Sequence, residues 1–203
     1  MSELKNVIST LFHLQGQIHL LIETLEKCTK NENLLNQIEL TSFNSDINFQ
    51  KSVQGLLSNQ SIIMFCSFLD EYNRYLTPQI DNSVYKDRIT SLKQLNKPIL
   101  KRINKWKDLY SFRNKLVAHN FRTNNKSFFS TDEVEIYKIP NTISEKILFD
   151  GIIYLICTNI RDLFPDVISQ IDPDFIMLNK LKIIGEDIDN EKELTELYLQ
   201  VLQ

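Results

Sequence analysis

The chain has 203 residues, of which 42% are hydrophobic and 24% charged, and a net charge of −3; this is an ordinary globular composition, which argues against a disordered, fibrous or membrane-embedded chain. Only 4 Gly and 5 Pro are present, too few for the many tight turns of an all-β or doubly wound α/β fold, so an all-α fold is expected. Cys28, Cys66 and Cys157 are odd in number, far apart and without a CxxC pair, which reads as reduced, buried thiols. With no signal peptide and no apolar run near the roughly 20 residues that span a bilayer, a cytoplasmic protein with no membrane partner is expected.

Residues 3–29 predict an amphipathic helix: Leu4, Val7, Ile8, Leu11, Leu14, Ile18, Leu21, Ile22 and Leu25 recur at the 3–4 spacing of one helical face. Residues 30–48, rich in Asn and Ser, read as a loop. A second long helix follows over 50–76, ended by Pro78, and its centre IIMFCSFL (62–69) is apolar all round, as in a helix buried on most sides. Residues 82–95 are a shorter helical or irregular stretch. Pro98 suits the first turn of a further helix running to about Ala118. Residues 120–140 are polar and broken, with VEIYKI (134–139) as a short extended piece. Thr142 and Glu145 have capping-box spacing at the start of another helix, whose apolar run from Ile147 to Leu163 stops at Pro165. Beyond it, a short helical piece runs from Asp172 to near Gly185. Residues 189–202 form an acidic amphipathic helix with Leu194, Leu197, Tyr198, Val201 and Leu202 on one side. The expected architecture is a bundle of about four long helices over 1–165, with a helical C-terminal tail over 166–203.

Charge is unevenly spread. Twelve of the 23 Lys and Arg fall between Lys86 and Lys126, against only Asp87 and Asp108, so that segment carries +10 and the remainder −13. Such polarisation marks either a surface that meets an anion such as nucleic acid, or a solvated face paired with acids elsewhere in the fold.

At about 100° per residue, Ile99, Ile103, Trp106, Tyr110 and Val117 form one stripe of the 98–118 helix, and Arg113 lies inside it. A guanidinium on a core-facing stripe needs a partner, because an unpaired buried charge is very costly. On the 50–76 helix, Val53, Leu57, Met64, Phe68 and Tyr75 form a stripe with Glu71 at its middle. Glu71 is therefore the first expected partner of Arg113, and the more lateral Asp70 the second. His119 lies six residues after Arg113, about 120° away on a continuous helix, and Asn120 after it favours a helix end there. One helical face cannot hold both. His13 and His19 show no metal-ligand spacing and read as packing or surface residues.

The run Arg113-Asn114-Lys115-Leu116-Val117-Ala118-His119 resembles the R-x4–6-H signature of the HEPN superfamily, with Asn directly after the Arg. These are helical-bundle domains of prokaryotic toxin–antitoxin, abortive-infection and RNA-processing systems. The order also fits: a long helix with an acidic residue, the motif helix, then a final long helix. The resemblance covers about residues 1–165. It implies a metal-independent endoribonuclease, usually a homodimer with both motifs at the dimer cleft, and needing neither cofactor nor metal. It implies His119 as general acid/base, Arg113 holding the scissile phosphate, and Asn114 orienting the His or binding phosphate. Glu71 or Asp70 would fix the Arg. Lys105, Lys115, Arg122 and Lys126 would contact RNA, and a cognate antitoxin or other partner protein fits the same setting. The alternative within this family is a non-catalytic binding module. Phe121, Phe128 and Phe129, in the loop after the motif, either stack RNA bases or, the favoured reading, plug the core.

Overall fold

A computed structural model describes residues 3–30, 49–80, 84–117, 122–123, 126–127 and 136–171. The fold is all-α. Among the described residues, seven α-helices run in chain order: α1 (Glu3–Lys30), α2 (Phe49–Asp70), α3 (Lys86–Leu95), α4 (Lys97–Ile103), α5 (Leu109–Val117), α6 (Ile143–Leu163) and α7 (Pro165–Ile168). A π-helical turn, Glu71–Tyr75, continues α2. A two-residue antiparallel ladder, Arg122–Thr123 with Lys126–Ser127, lies between α5 and α6 in the chain. The expected helical tail from residue 172 onward, the polar loop at 30–48 and the Phe residues at 121, 128 and 129 lie outside the described residues.

The three long helices α1, α2 and α6 form the frame. On α1 the buried side is the expected one, with Leu4, Val7, Ile8, Leu11, Ile18, Ile22 and Leu25 packed inward. The unpaired carbonyl of Cys28 near its C-terminus is met by Nε2 of Gln50 (2.9 Å) and of Gln54 (3.0 Å), which ties α1 to the start of α2. At the start of α6 the capping box is complete: Glu145 N donates to Thr142 Oγ1 (3.2 Å), and Thr142 N donates to Glu145 Oε2 (3.1 Å). At the centre, Phe149 of α6 stacks on Phe65 of α2 (4.0 Å between centroids) and on Trp106 (5.2 Å). All three cysteines are buried, and burial pushes the thiols of Cys66 and Cys157 up to about 12.

Two expectations need correction. The core side of α2 is not the stripe through Val53 and Tyr75. Ile62, Phe65, Cys66, Phe68 and Leu69 are buried, whereas Met64 is half-buried and Tyr75 is 56% exposed. The central run is apolar on every side, so no polar face sets the phase of the wheel. The single helix expected from Pro98 to Ala118 is also two helices. Between them, Lys105 N and Trp106 N donate to the carbonyls three residues back, a tighter winding than the α-helix. Trp106 thereby drops into the core at 5% exposure, with its Nε1 donating to Glu145 Oε1 (3.2 Å). Lys138 N donates to Asp108 Oδ2 (2.8 Å) and fixes the end of the turn. Asn104 and Asp108, both poor helix formers, bracket the break.

Candidate nucleic-acid interface

The site is built where the C-terminal end of α2 meets α5. Cys66 Sγ donates to Leu109 O (3.7 Å), which sets the two helices side by side. Leu109 is buried at 2% exposure, and Arg113, one helical turn on, falls at the edge of the same side. Its side chain is 23% exposed. Nη1 of Arg113 donates to Asp70 Oδ2 at 2.6 Å. The partner is therefore Asp70, the second expectation, and not Glu71.

The physical reason is the phase of α2. With the core running through Phe65 and Leu69, Asp70 turns toward α5, and the chain then widens into the π-helical turn whose Leu76 N reaches back five residues to Glu71 O (3.3 Å). Glu71 is half-buried there, forms no ion pair with a described residue, and has its carboxyl pushed up by burial.

Asp70 holds a second cation that the sequence reading missed. Arg74 Nε lies 3.3 Å from Asp70 Oδ1. The signal was available, since Asp and Arg four residues apart share a helical face. One carboxylate facing two guanidinium groups leaves the cluster net positive. Asn114 completes it: its Oδ1 accepts from Arg113 Nε (3.3 Å) and Nη2 (3.1 Å). A guanidinium has five N–H donors in a planar fork. Three of those on Arg113 are engaged by described residues, one on each nitrogen, so one N–H remains on Nη1 and one on Nη2.

Tyr110 was expected to face the core and is instead 36% exposed, with its ring centroid 5.1 Å from the Arg113 guanidinium carbon. Burial of its inner part, then the charge of Asp70, push its hydroxyl up to about 12.

The basic segment divides into two groups. Arg88 pairs with Asp166 (2.6 Å), Lys93 covers the Tyr72 ring, Arg102 covers Trp106, and Lys115 lies 5.1 Å from the Tyr137 ring centroid. Lys97, Lys101, Lys105 and Lys107 are exposed and form no ion pair with a described residue. Lys97 and Lys101 share one side of α4, and Lys105 and Lys107 follow in the turn. So Lys105 stands on an open surface, and Lys115 is drawn against an aromatic ring. Arg122 and Lys126 belong to the two-stranded ladder, in the register Arg122 to Ser127 and Thr123 to Lys126. His119 lies outside the described residues.

Elsewhere, His19 Nδ1 lies 2.8 Å from Asp150 Oδ2, linking α1 to α6. Among the described residues no cluster of three His, Cys, Asp or Glu could hold a metal ion, and no helix is long and apolar enough to cross a membrane. No family model, no curated protein and no solved structure matches this chain.

Proposed function

We propose that this chain is a metal-independent endoribonuclease of HEPN type, acting as a homodimer on RNA in a phage-defence or toxin–antitoxin setting. The observation that carries the reading is Arg113: anchored by Asp70 and Asn114, partly exposed, and with one N–H left on each of its two terminal nitrogens. Those two N–H groups can each donate to a phosphate oxygen. The surplus positive charge from Arg74 and the exposed lysines of α4 support an RNA backbone nearby.

In this reading His119 takes the proton of a ribose 2′-OH as its oxygen attacks phosphorus. The bond to the 5′ oxygen breaks, and a protonated His119 of either subunit gives that oxygen its proton, leaving a 2′,3′-cyclic phosphate and a 5′-OH end. Arg113 neutralises charge growing on the non-bridging oxygens. The six-residue spacing would set His119 about 120° from Arg113 on a continued helix, and a two-fold axis would bring each to its counterpart from the second subunit. The test is purified protein with labelled RNA in excess chelator. Cleavage that persists without divalent metal and disappears in His119→Ala supports the assignment. Undiminished cleavage by His119→Ala sinks it, and tight RNA binding with no cleavage supports a binding module at the same site.

A further inference from the structure

Beside the Asp70–Arg113 pair lies a cleft of about 380 Å³, between the π-helical turn and the turn that separates α4 from α5. Its floor is apolar, with Leu69, Ile103 and Leu109 each no more than 3% exposed. Its rim is polar: Asn73 from the π-helical turn on one side, Asn104 and Lys107 from the other turn opposite. Both Asn side chains are exposed, and neither forms a hydrogen bond with a described residue. Tyr110 lines the cleft on the Arg113 side, with its ring centroid 5.1 Å from the guanidinium carbon. A cleft of this size is at the lower end of those that enclose small organic ligands.

We infer that this cleft takes one nucleoside of the RNA, with a preference for adenine. The inference rests on the phosphate-binding role proposed for Arg113 and adds the base-binding half of that site. Each part of the cleft matches a part of such a ligand. A flat base is accepted by an apolar floor, and Tyr110 is the exposed aromatic ring on which it stacks. A carboxamide offers one donor and one acceptor side by side, the complement of the N6–H and N7 edge of adenine. Asn73 and Asn104 present two such groups from opposite walls. With the base in the cleft against Tyr110, its phosphate lies over the two remaining donors of Arg113. Lys107 and the exposed Lys105, Lys101 and Lys97 continue the positive charge away from the cleft, along the path of the flanking phosphates.

The chain has a single tryptophan, Trp106, and it lines this cleft, so its fluorescence reports occupancy directly. The experiment titrates the full chain with AMP, adenosine and the other three nucleoside monophosphates. The expected result is a saturable change with AMP and adenosine, tighter than with UMP or CMP. Tyr110→Ala and, separately, Asn104→Ala then weaken both adenine ligands by at least about tenfold, the loss expected from one base–aromatic stack. Arg113→Ala weakens AMP and leaves adenosine unchanged. Asn104 is exposed in a turn, so its variant tests the inference even if Tyr110→Ala fails to fold. No saturable change up to roughly 10 mM, a millimolar ceiling below which binding is negligible, overturns the inference. So does adenosine affinity that both variants leave intact. RNA cleavage that depends on His119 with no nucleoside binding removes the cleft and keeps the nuclease. Adenosine binding with no cleavage of any RNA removes the nuclease and keeps the cleft.

Discussion

The end of α2 carries two polar clusters, and they are built to opposite rules. On its inner side, Tyr72 is fully buried, and its hydroxyl accepts from Asn96 Nδ2 (3.0 Å), while Asn96 Oδ1 accepts from Asn159 Nδ2 (2.6 Å). The ammonium of Lys93 sits over the Tyr72 ring and donates to the Tyr72 carbonyl. This cluster is sealed. Two residues earlier, Asp70 holds Arg113 and Arg74 at an edge where both partners of its shorter pair remain more than a fifth exposed. That cluster is open, with donors left over. A buried polar group whose bonds are met inside the protein fixes how helices meet, because any other arrangement leaves it unsatisfied. A half-buried cation with spare donors can still bind an anion from outside.

The comparison can be tested from both sides. The largest effect is expected at the open cluster: Arg113→Ala lowers the rate of RNA cleavage by roughly 10²–10³-fold, as removal of one transition-state donor does elsewhere, measured in single-turnover assays. At the sealed cluster, Asn96→Ala orphans the Tyr72 hydroxyl and the Asn159 amide. It lowers unfolding stability by about 2–4 kcal/mol, measured by urea denaturation, while cleavage per folded molecule is unchanged. Smaller is the effect of Asp70→Asn, which keeps the shape of the anchor and removes its charge; Arg113 loses its aim and cleavage falls about tenfold. Glu71→Gln, next to it in the chain, leaves cleavage unchanged because Glu71 does not touch Arg113.

The smallest effect is at the far side of the bundle. The hydrogen bond that His19 Nδ1–H donates to Asp150, and then the charge of Asp150, raise the pKa of His19 above its ordinary value. A raised folded pKa means that the protonated pair stabilises fully below about pH 6.5, and that this contribution fades as pH rises through the folded value. The stability difference between the natural chain and His19→Gln is therefore largest near pH 5.5 and shrinks toward pH 8.5. It stays below about 1 kcal/mol because the imidazole is largely solvated.

Much of the frame was legible in the chain. α1 has an unbroken 3–4 pattern with a polar side to set its phase, and the capping-box spacing of Thr142 and Glu145 marked where α6 begins. The demand that Arg113 find an acidic partner at the end of α2 was legible too, since a guanidinium on a core-facing stripe is costly alone. Which acid answers it was not. The run from Ile62 to Leu69 is apolar all round, so a helical wheel has nothing to orient it, and the π-helical turn changes the angle per residue just where Glu71 follows Asp70. The break between α4 and α5 was hidden for another reason. It has no Pro or Gly, and it is set by distant groups: Phe149 and Glu145 receive Trp106, and Lys138 caps Asp108. With the break, Tyr110 leaves the core stripe and becomes the rim of a cleft. Local pattern cannot register such contacts.

The most direct measurement sets two numbers for Arg113→Ala side by side: its loss of unfolding free energy in urea, and its loss of single-turnover cleavage in chelator at matched folded fraction. Asp70 keeps Arg74 in this variant, so the account predicts a stability loss of only about 1–2 kcal/mol with cleavage down roughly 10²–10³-fold. A loss of about 3–5 kcal/mol, the cost of orphaning a buried charge, with cleavage per folded molecule unchanged, would contradict it and make Arg113 a structural ion pair.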